Sequence, residues 1–255
     1  SKILKYPNTT KTIFDSDNKV RYYEDAMLGD IWGYETIDLA RTEEQMKKHL
    51  ASLPNGGQDA LGSNWAAGDV MYADLNGDGK IDGGKGVVGD SGDKKIIGNT
   101  TPRYNFGLTL NAAYKGFDIS LFFQGTMKRD VWLTGLYFWG ADNGYWQSTA
   151  LKETQDYFRA ADTDSYFGPN VNGYLPRPLL SGDKKNKEIS TQYLQNAAYI
   201  RLKNMQIGYT LPLQVINKIK VSNLRIFLSA DNIFTISGLK ADAYDPEELD
   251  GYAAG

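Results

Sequence analysis

The 255 residues contain no cysteine, which removes a disulfide framework, a thiolate metal site and a cysteine nucleophile. There is one histidine, His49, which argues against a histidine-based metal centre or a Ser-His-Asp triad. It ends the run Thr42-Glu43-Glu44-Gln45-Met46-Lys47-Lys48 and is expected in solvent near a helix C-terminus, where cations are favoured. No run of about 18 apolar residues is present, so no transmembrane helix is expected. Nor is there a basic excess. The net charge is −3, and no nucleic-acid partner is expected. The chain opens Ser1-Lys2-Ile3, with neither Met nor a signal peptide to give an address. None of this excludes a transmembrane β-barrel, whose strands signal only by alternation.

What the chain does have is 27 Gly, 17 Tyr and 10 Phe, a β-leaning composition of aromatics and turn formers. Ile31 to Leu39 reads as a strand, and Thr42 to Leu50 as a short helix capped by Thr42. Residues 54–100 are rich in Gly, Asp, Asn and Ser and read as a long ordered loop without a core. From Tyr104 to Tyr114 the even positions are apolar and the odd ones small or polar. After Lys115-Gly116, Phe117 to Gln124 is apolar at odd positions, except Phe122. Two period-2 runs joined by a two-residue turn with Gly make a hairpin over 103–125. Residues 126–196 form a long excursion, with a helical patch near Ser148 to Ala160. Period 2 returns over Tyr199 to Leu211, changing phase near Lys203-Asn204, where a bulge is expected. Pro212 opens a helical turn, and Leu224 to Asp231 alternates again.

Such alternation fits a soluble sandwich, with its apolar face on a second sheet, or a barrel, with that face on lipid. The connections separate the two. Both strand pairs meet through short links at one end and lead into long segments at the other, which is the barrel pattern. Tyr114, Phe117 and Tyr209 fall near the short-link ends, where an interfacial girdle belongs. Arg225, in phase with Ser229 and Asp231, is placed on the lumen side, because facing lipid would cost about 2–4 kcal/mol.

Several motifs in one order then resemble the C-terminal part of a SusC/RagA-type TonB-dependent outer-membrane transporter. They are Trp65-Ala66-Ala67-Gly68-Asp69 through Asp74-Leu75-Asn76-Gly77-Asp78-Gly79, Ile97-Gly98-Asn99 to Pro102, and Tyr114-Lys115-Gly116-Phe117-Asp118 with Phe123-Gln124-Gly125. Tyr199-Ile200-Arg201-Leu202-Lys203-Asn204, Gly208-Tyr209-Thr210-Leu211-Pro212, Asp231-Asn232-Ile233-Phe234 and Asp245-Pro246-Glu247 follow. The resemblance implies an all-β fold: an antiparallel portion of a transmembrane barrel of about 22 strands, with long extracellular loops. It implies a plug, opening by TonB, and a SusD-like surface lipoprotein that helps capture glycans or oligopeptides. The location implied is the outer membrane of a Gram-negative cell. The plug, the TonB box, most strands and the final strand do not match, so residues 1–255 are expected to be a piece of a longer chain. Residues 1–102, 126–196 and 237–255 then become extracellular loop regions, and 197–236 a strand pair.

Residues 74–82 resemble a calcium loop: Asp74, Asn76 and Asp78 at positions 1, 3 and 5, Gly79 at the sharp turn, the Lys80 carbonyl at 7 and Asp82 at 9. Position 12 is Lys85 instead of the bidentate Glu, and no apolar helices flank the loop. A structural Ca2+ is therefore weighed against a turn cluster bonding its own backbone. A sensor is not expected, and no other cofactor is. Trp132, Tyr137, Trp139, Tyr145 and Trp146 crowd one segment, either as a stacking surface for sugar or lid protein or as a small core of the loop itself. The acid pairs Asp162/Asp164 and Glu247/Glu248 show no flanking site, and Gly83-Gly84-Lys85-Gly86 lacks phosphate-loop spacing. No enzyme is expected. The competing function is a soluble, secreted, calcium-stabilised carbohydrate-binding β-module.

Overall fold

The structure is a computed structural model, described here for residues 1–14, 21–140, 152–179, 184–240 and 243–249. In chain order its elements are β1 (Asp30–Tyr34), β2 (Thr36–Leu39), α1 (Glu43–Ala51), β3 (Val70–Tyr72), β4 (Lys94–Asn99), β5 (Arg103–Tyr114), β6 (Phe117–Lys128), β7 (Asp130–Val131), α2 (Leu136–Trp139), β8 (Gln195–Asn196), β9 (Tyr199–Thr210), α3 (Leu213–Ile216) and β10 (Arg225–Ser237). Strands far outnumber helical turns, so the fold is all-β in class. No described helix is long and apolar enough to cross a membrane, which says nothing about crossing by strands. The chain divides into two compact units: residues 1–101, 130–195 and 240–255, and residues 102–129 and 196–239.

The second unit is an antiparallel sheet in the order β10-β9-β6-β5. Its hairpin closes at Lys115-Gly116, both with positive φ (46° and 89°), the conformation that matches the right-handed twist of flanking strands. Phase is kept from Tyr114↔Phe117 to Phe106↔Gly125. Where β6 meets β9, Phe122 pairs with Asn204 and Phe123 with Leu202, so Lys203 is skipped. That bulge resets the phase of β9 and keeps Leu202 and Ile207 on one side. On the other side polar groups satisfy one another. The Arg225 guanidinium donates to both oxygens of Asp118 (3.0 and 2.5 Å) and to Gln206. Arg201 Nε donates to Thr235 (2.7 Å), and the Asn204 amide to Asp231 (2.8 Å). The apolar side stays open: Leu228 is 70% exposed and Ile226 62%, with Leu108, Leu110 and Phe117 also in solvent contact.

The first unit joins segments that the sequence presents as three separate loops. Residues 54–100, read as coreless, supply Val70, Tyr72 and Ile81 to a buried interior with Tyr34, Leu39, Met46, Leu133 and Tyr193. Two short ladders, β1–β4 and β2–β3, frame it. At Gly33 a Cβ would lie 2.5 Å from the Ile189 carbonyl oxygen, so the absence of a side chain lets residues 33 and 189 approach. Helix α1 begins as expected, Thr42 accepting from the Gln45 N–H (3.2 Å). His49 departs from expectation. It is buried and its Nε2 lies 3.0 Å from Gln58 Oε1, because Gln58 plugs the space under α1. The same Gln58 amide accepts from the Tyr72 N–H and donates to the Val70 carbonyl.

Candidate functional site

The first unit is organised around a buried charge. Asp69 is fully buried, and its carboxylate accepts a two-point grip from Arg177 (2.7 and 2.8 Å) and single bonds from Lys185 Nζ and Asn186 Nδ2 (both 2.8 Å). Burial pushes the carboxyl up, but the hydrogen bonds from Arg177, Asn186 and Lys185 outweigh it and hold it below its usual range. Lys185 also donates to the carbonyls of Ser63 and Asn64 and sits 4.7 Å above the Trp65 ring. Residues more than 100 positions apart are thereby tied, as a scaffold must be if a loop is to present a fixed surface.

The Asp74–Asp82 loop beside it satisfies itself. Asp74 accepts from the N–H groups of Gly77 (2.7 Å) and Gly79 (2.9 Å), Asn76 from Asp78, and Asp78 from Lys80. Lys80 Nζ lies 2.5 Å from Asp82. Asp93, buried, anchors the loop through the N–H groups of Leu75 and Asp82, and desolvation raises its carboxyl above the usual value. Among the described residues no group of three or more His, Asp or Glu gathers as a metal would require. In this arrangement the side-chain oxygens of positions 1, 3 and 5 each accept backbone N–H groups of the loop itself.

Of the five clustered aromatics, Trp132 and Trp139 are 4% and 6% exposed, with ring centroids 6.0 Å apart. Trp139 packs edge-on against Phe138 (4.9 Å) and Tyr193 (5.0 Å). They form the small core the segment needs to stand. Tyr137 is 61% exposed. Tyr145 and Trp146 lie outside the described residues.

Tyr137 opens onto a cavity of about 260 Å³ whose walls include Phe138, Asp156, Tyr174, Leu175 and Lys240. The Tyr174 hydroxyl is pinned, donating to the Gln192 carbonyl (3.1 Å) and accepting from Gln195 Nε2 (2.9 Å), and burial raises its pKa. The Lys240 ammonium rests 4.2 Å from the centroid of that ring. Asp156 accepts from Asn170 Nδ2 (2.9 Å), and its backbone carbonyl accepts from the Leu175 N–H (2.8 Å). The sequence pointed only to Tyr137. The other walls come from positions as distant as 156 and 240, with no local pattern to link them.

Comparisons with known proteins agree with the sheet. Over 214 residues the chain is 28% identical to TonB-dependent receptor P3 of Formosa agariphila, covering 84% of this chain and 18% of that protein. The chain is a relative of the TonB-dependent receptors. Receptors P26 and P39 of the same organism match at 25% and 26% identity, each over 71% of this chain and 16% of theirs. The chain thus spans under a fifth of the length of these receptors. No protein-family model matches it. In fold it is similar to the RagAB peptide transporter, with a TM-score of 0.55 and 18% identity over 100% of this chain and 22% of that one. It is similar too to the RagAB peptide importer in its closed-closed state, with a TM-score of 0.52 and 18% identity over 98% and 22%. None of these relatives is named as an enzyme.

Proposed function

We infer that this receptor segment is part of a TonB-dependent importer in the outer membrane of a Gram-negative bacterium, taking up nutrient together with a SusD-like surface lipoprotein. The observation that carries this is the two-sided sheet. Its apolar side stays exposed across four strands while its polar side is internally hydrogen-bonded, the distribution suited to lipid outside and water inside. In hydrocarbon every backbone group needs a partner, so the edges at β5 and β10 call for further strands and closure into a barrel. Residues 1–102, 126–196 and 237–255 would supply extracellular loops, and TonB would act through a part of the protein outside this stretch. Glycans and oligopeptides are both within this reading. A structural calcium in the Asp74–Asp82 loop would stiffen a loop without signalling.

The test is fractionation of the full-length protein followed by uptake. Recovery from outer membranes only with detergent, and nutrient uptake that stops when the proton gradient is dissipated, are the expected results. Recovery as a soluble, cooperatively melting monomer sinks the importer and leaves the secreted carbohydrate-binding module.

A further inference from the structure

The 260 Å³ cavity is smaller than the roughly 300–1,000 Å³ of drug-sized pockets, so it admits one ring or one side chain of a larger ligand. Two of its walls carry full and opposite charges. Among the described residues neither Asp156 nor Lys240 has an ion-pair partner. One Asp156 oxygen accepts from Asn170, and Lys240 lies over the Tyr174 ring. The remaining walls are aromatic or aliphatic, with Phe138 and Leu175 buried as a floor and Tyr137 projecting at the mouth.

Electrostatics narrows the occupant. An apolar side chain would desolvate a carboxylate and an ammonium and return no hydrogen bond to either. A cationic side chain would meet Lys240, and an anionic one Asp156. A neutral ring bearing hydroxyls on its rim and C–H groups on its face suits every wall. One hydroxyl donates to Asp156, another accepts from Lys240, and the C–H face lies on a tyrosine. We propose that the cavity walled by Tyr137, Asp156, Tyr174 and Lys240 is a subsite for one neutral pyranose ring. Within the importer reading, on which its biological use rests, the ring is one unit of a glycan.

The test uses the detergent-solubilised full-length protein and the methyl pyranosides of glucose, galactose and mannose as probes, read by saturation-transfer NMR and titration. At least one binds, with a Kd on the order of 1–10 mM. Tyr137→Ala weakens it about tenfold or more, and Asp156→Asn or Lys240→Gln each about three- to tenfold, with unchanged melting curves. Tyr137→Phe retains binding, and methyl hexuronides bind more weakly than their neutral counterparts. Absence of binding by all three pyranosides overturns the proposal. So does binding that survives Tyr137→Ala, or displacement of the sugar by a charged dipeptide at equal concentration. Sugar binding without uptake would remove the importer and leave the subsite; uptake without sugar binding would remove the subsite alone.

Discussion

In the sheet of β5, β6, β9 and β10, large apolar side chains such as Leu228 stand in the open while Arg225 and Asp118 bond one another on the opposite face. In the unit built from residues 1–101, 130–195 and 240–255 the pattern inverts: Tyr34, Tyr72 and Leu133 are buried, and so are the charges of Asp69 and Lys185. The sheet is held by a backbone ladder whose side-chain phase repeats every two residues. The other unit has little regular backbone and depends on side chains arriving from far along the chain. Damage should therefore spread differently in the two. A substitution in the sheet acts on one face, whereas one at the hub of the loops acts on every segment it ties.

Asp69→Ala makes the sharpest test of that contrast. It takes the buried carboxylate away from Lys185 and Arg177, and removing one partner of a buried pair costs about 3–5 kcal/mol. Hydrogen exchange is expected to accelerate across 1–101 and 130–195 and to stay unchanged in β6 and β9. A loss confined to residues next to Asp69 would refute the hub. Next in size is Leu228→Arg, expected to cost about 2–4 kcal/mol if that face meets lipid. Ser229→Arg, one position along on the polar face, should be tolerated. Equal stability of the two variants in lipid vesicles would contradict the assigned phase.

Asp74→Ala removes the acceptor of the Gly77 and Gly79 N–H groups and should cost about 1–2 kcal/mol. Melting with calcium and with chelator separates the two accounts of the loop. A loss equal in both belongs to the turn, and an added calcium-dependent part belongs to a structural ion.

The smallest effect concerns His49, whose pKa is lowered by burial and partly restored by the bond to Gln58. Its folded pKa lies below the unfolded value of about 6.5, so the unfolded chain binds the proton more readily and stability falls as pH drops through 6.5. His49→Gln should flatten that part of the pH–stability curve. An unchanged slope would place the titrating group elsewhere.

How legible each region was in the sequence follows from the same contrast. The hairpin at Lys115-Gly116, the phase of Arg225 and the bulge at Lys203 could be read directly, because strand geometry maps alternation onto faces with no knowledge of the rest of the molecule. The Thr42 cap was legible for a similar reason: capping involves residues three apart. His49 was misplaced because its helix carries Lys47 and Lys48 beside it, and the residue that buries it, Gln58, comes from the following loop. The loop core was missed because Gly-rich sequence signals turns and not what the turns bring together. Tyr137 stood out as an exposed aromatic, but nothing near it announced Asp156 or Lys240.

By itself the sequence determined which residues form strands, where they turn and which face of each is apolar, since all these depend on neighbours within a few positions. Only the tertiary structure decided that segments more than 100 positions apart are tied together at Asp69, that Trp132 and Trp139 turn inward, and that Tyr137, Asp156 and Lys240 wall a single cavity. Contacts between residues tens of positions apart depend on the satisfaction of buried charge and on close packing across the whole unit, and no spacing along the chain encodes them.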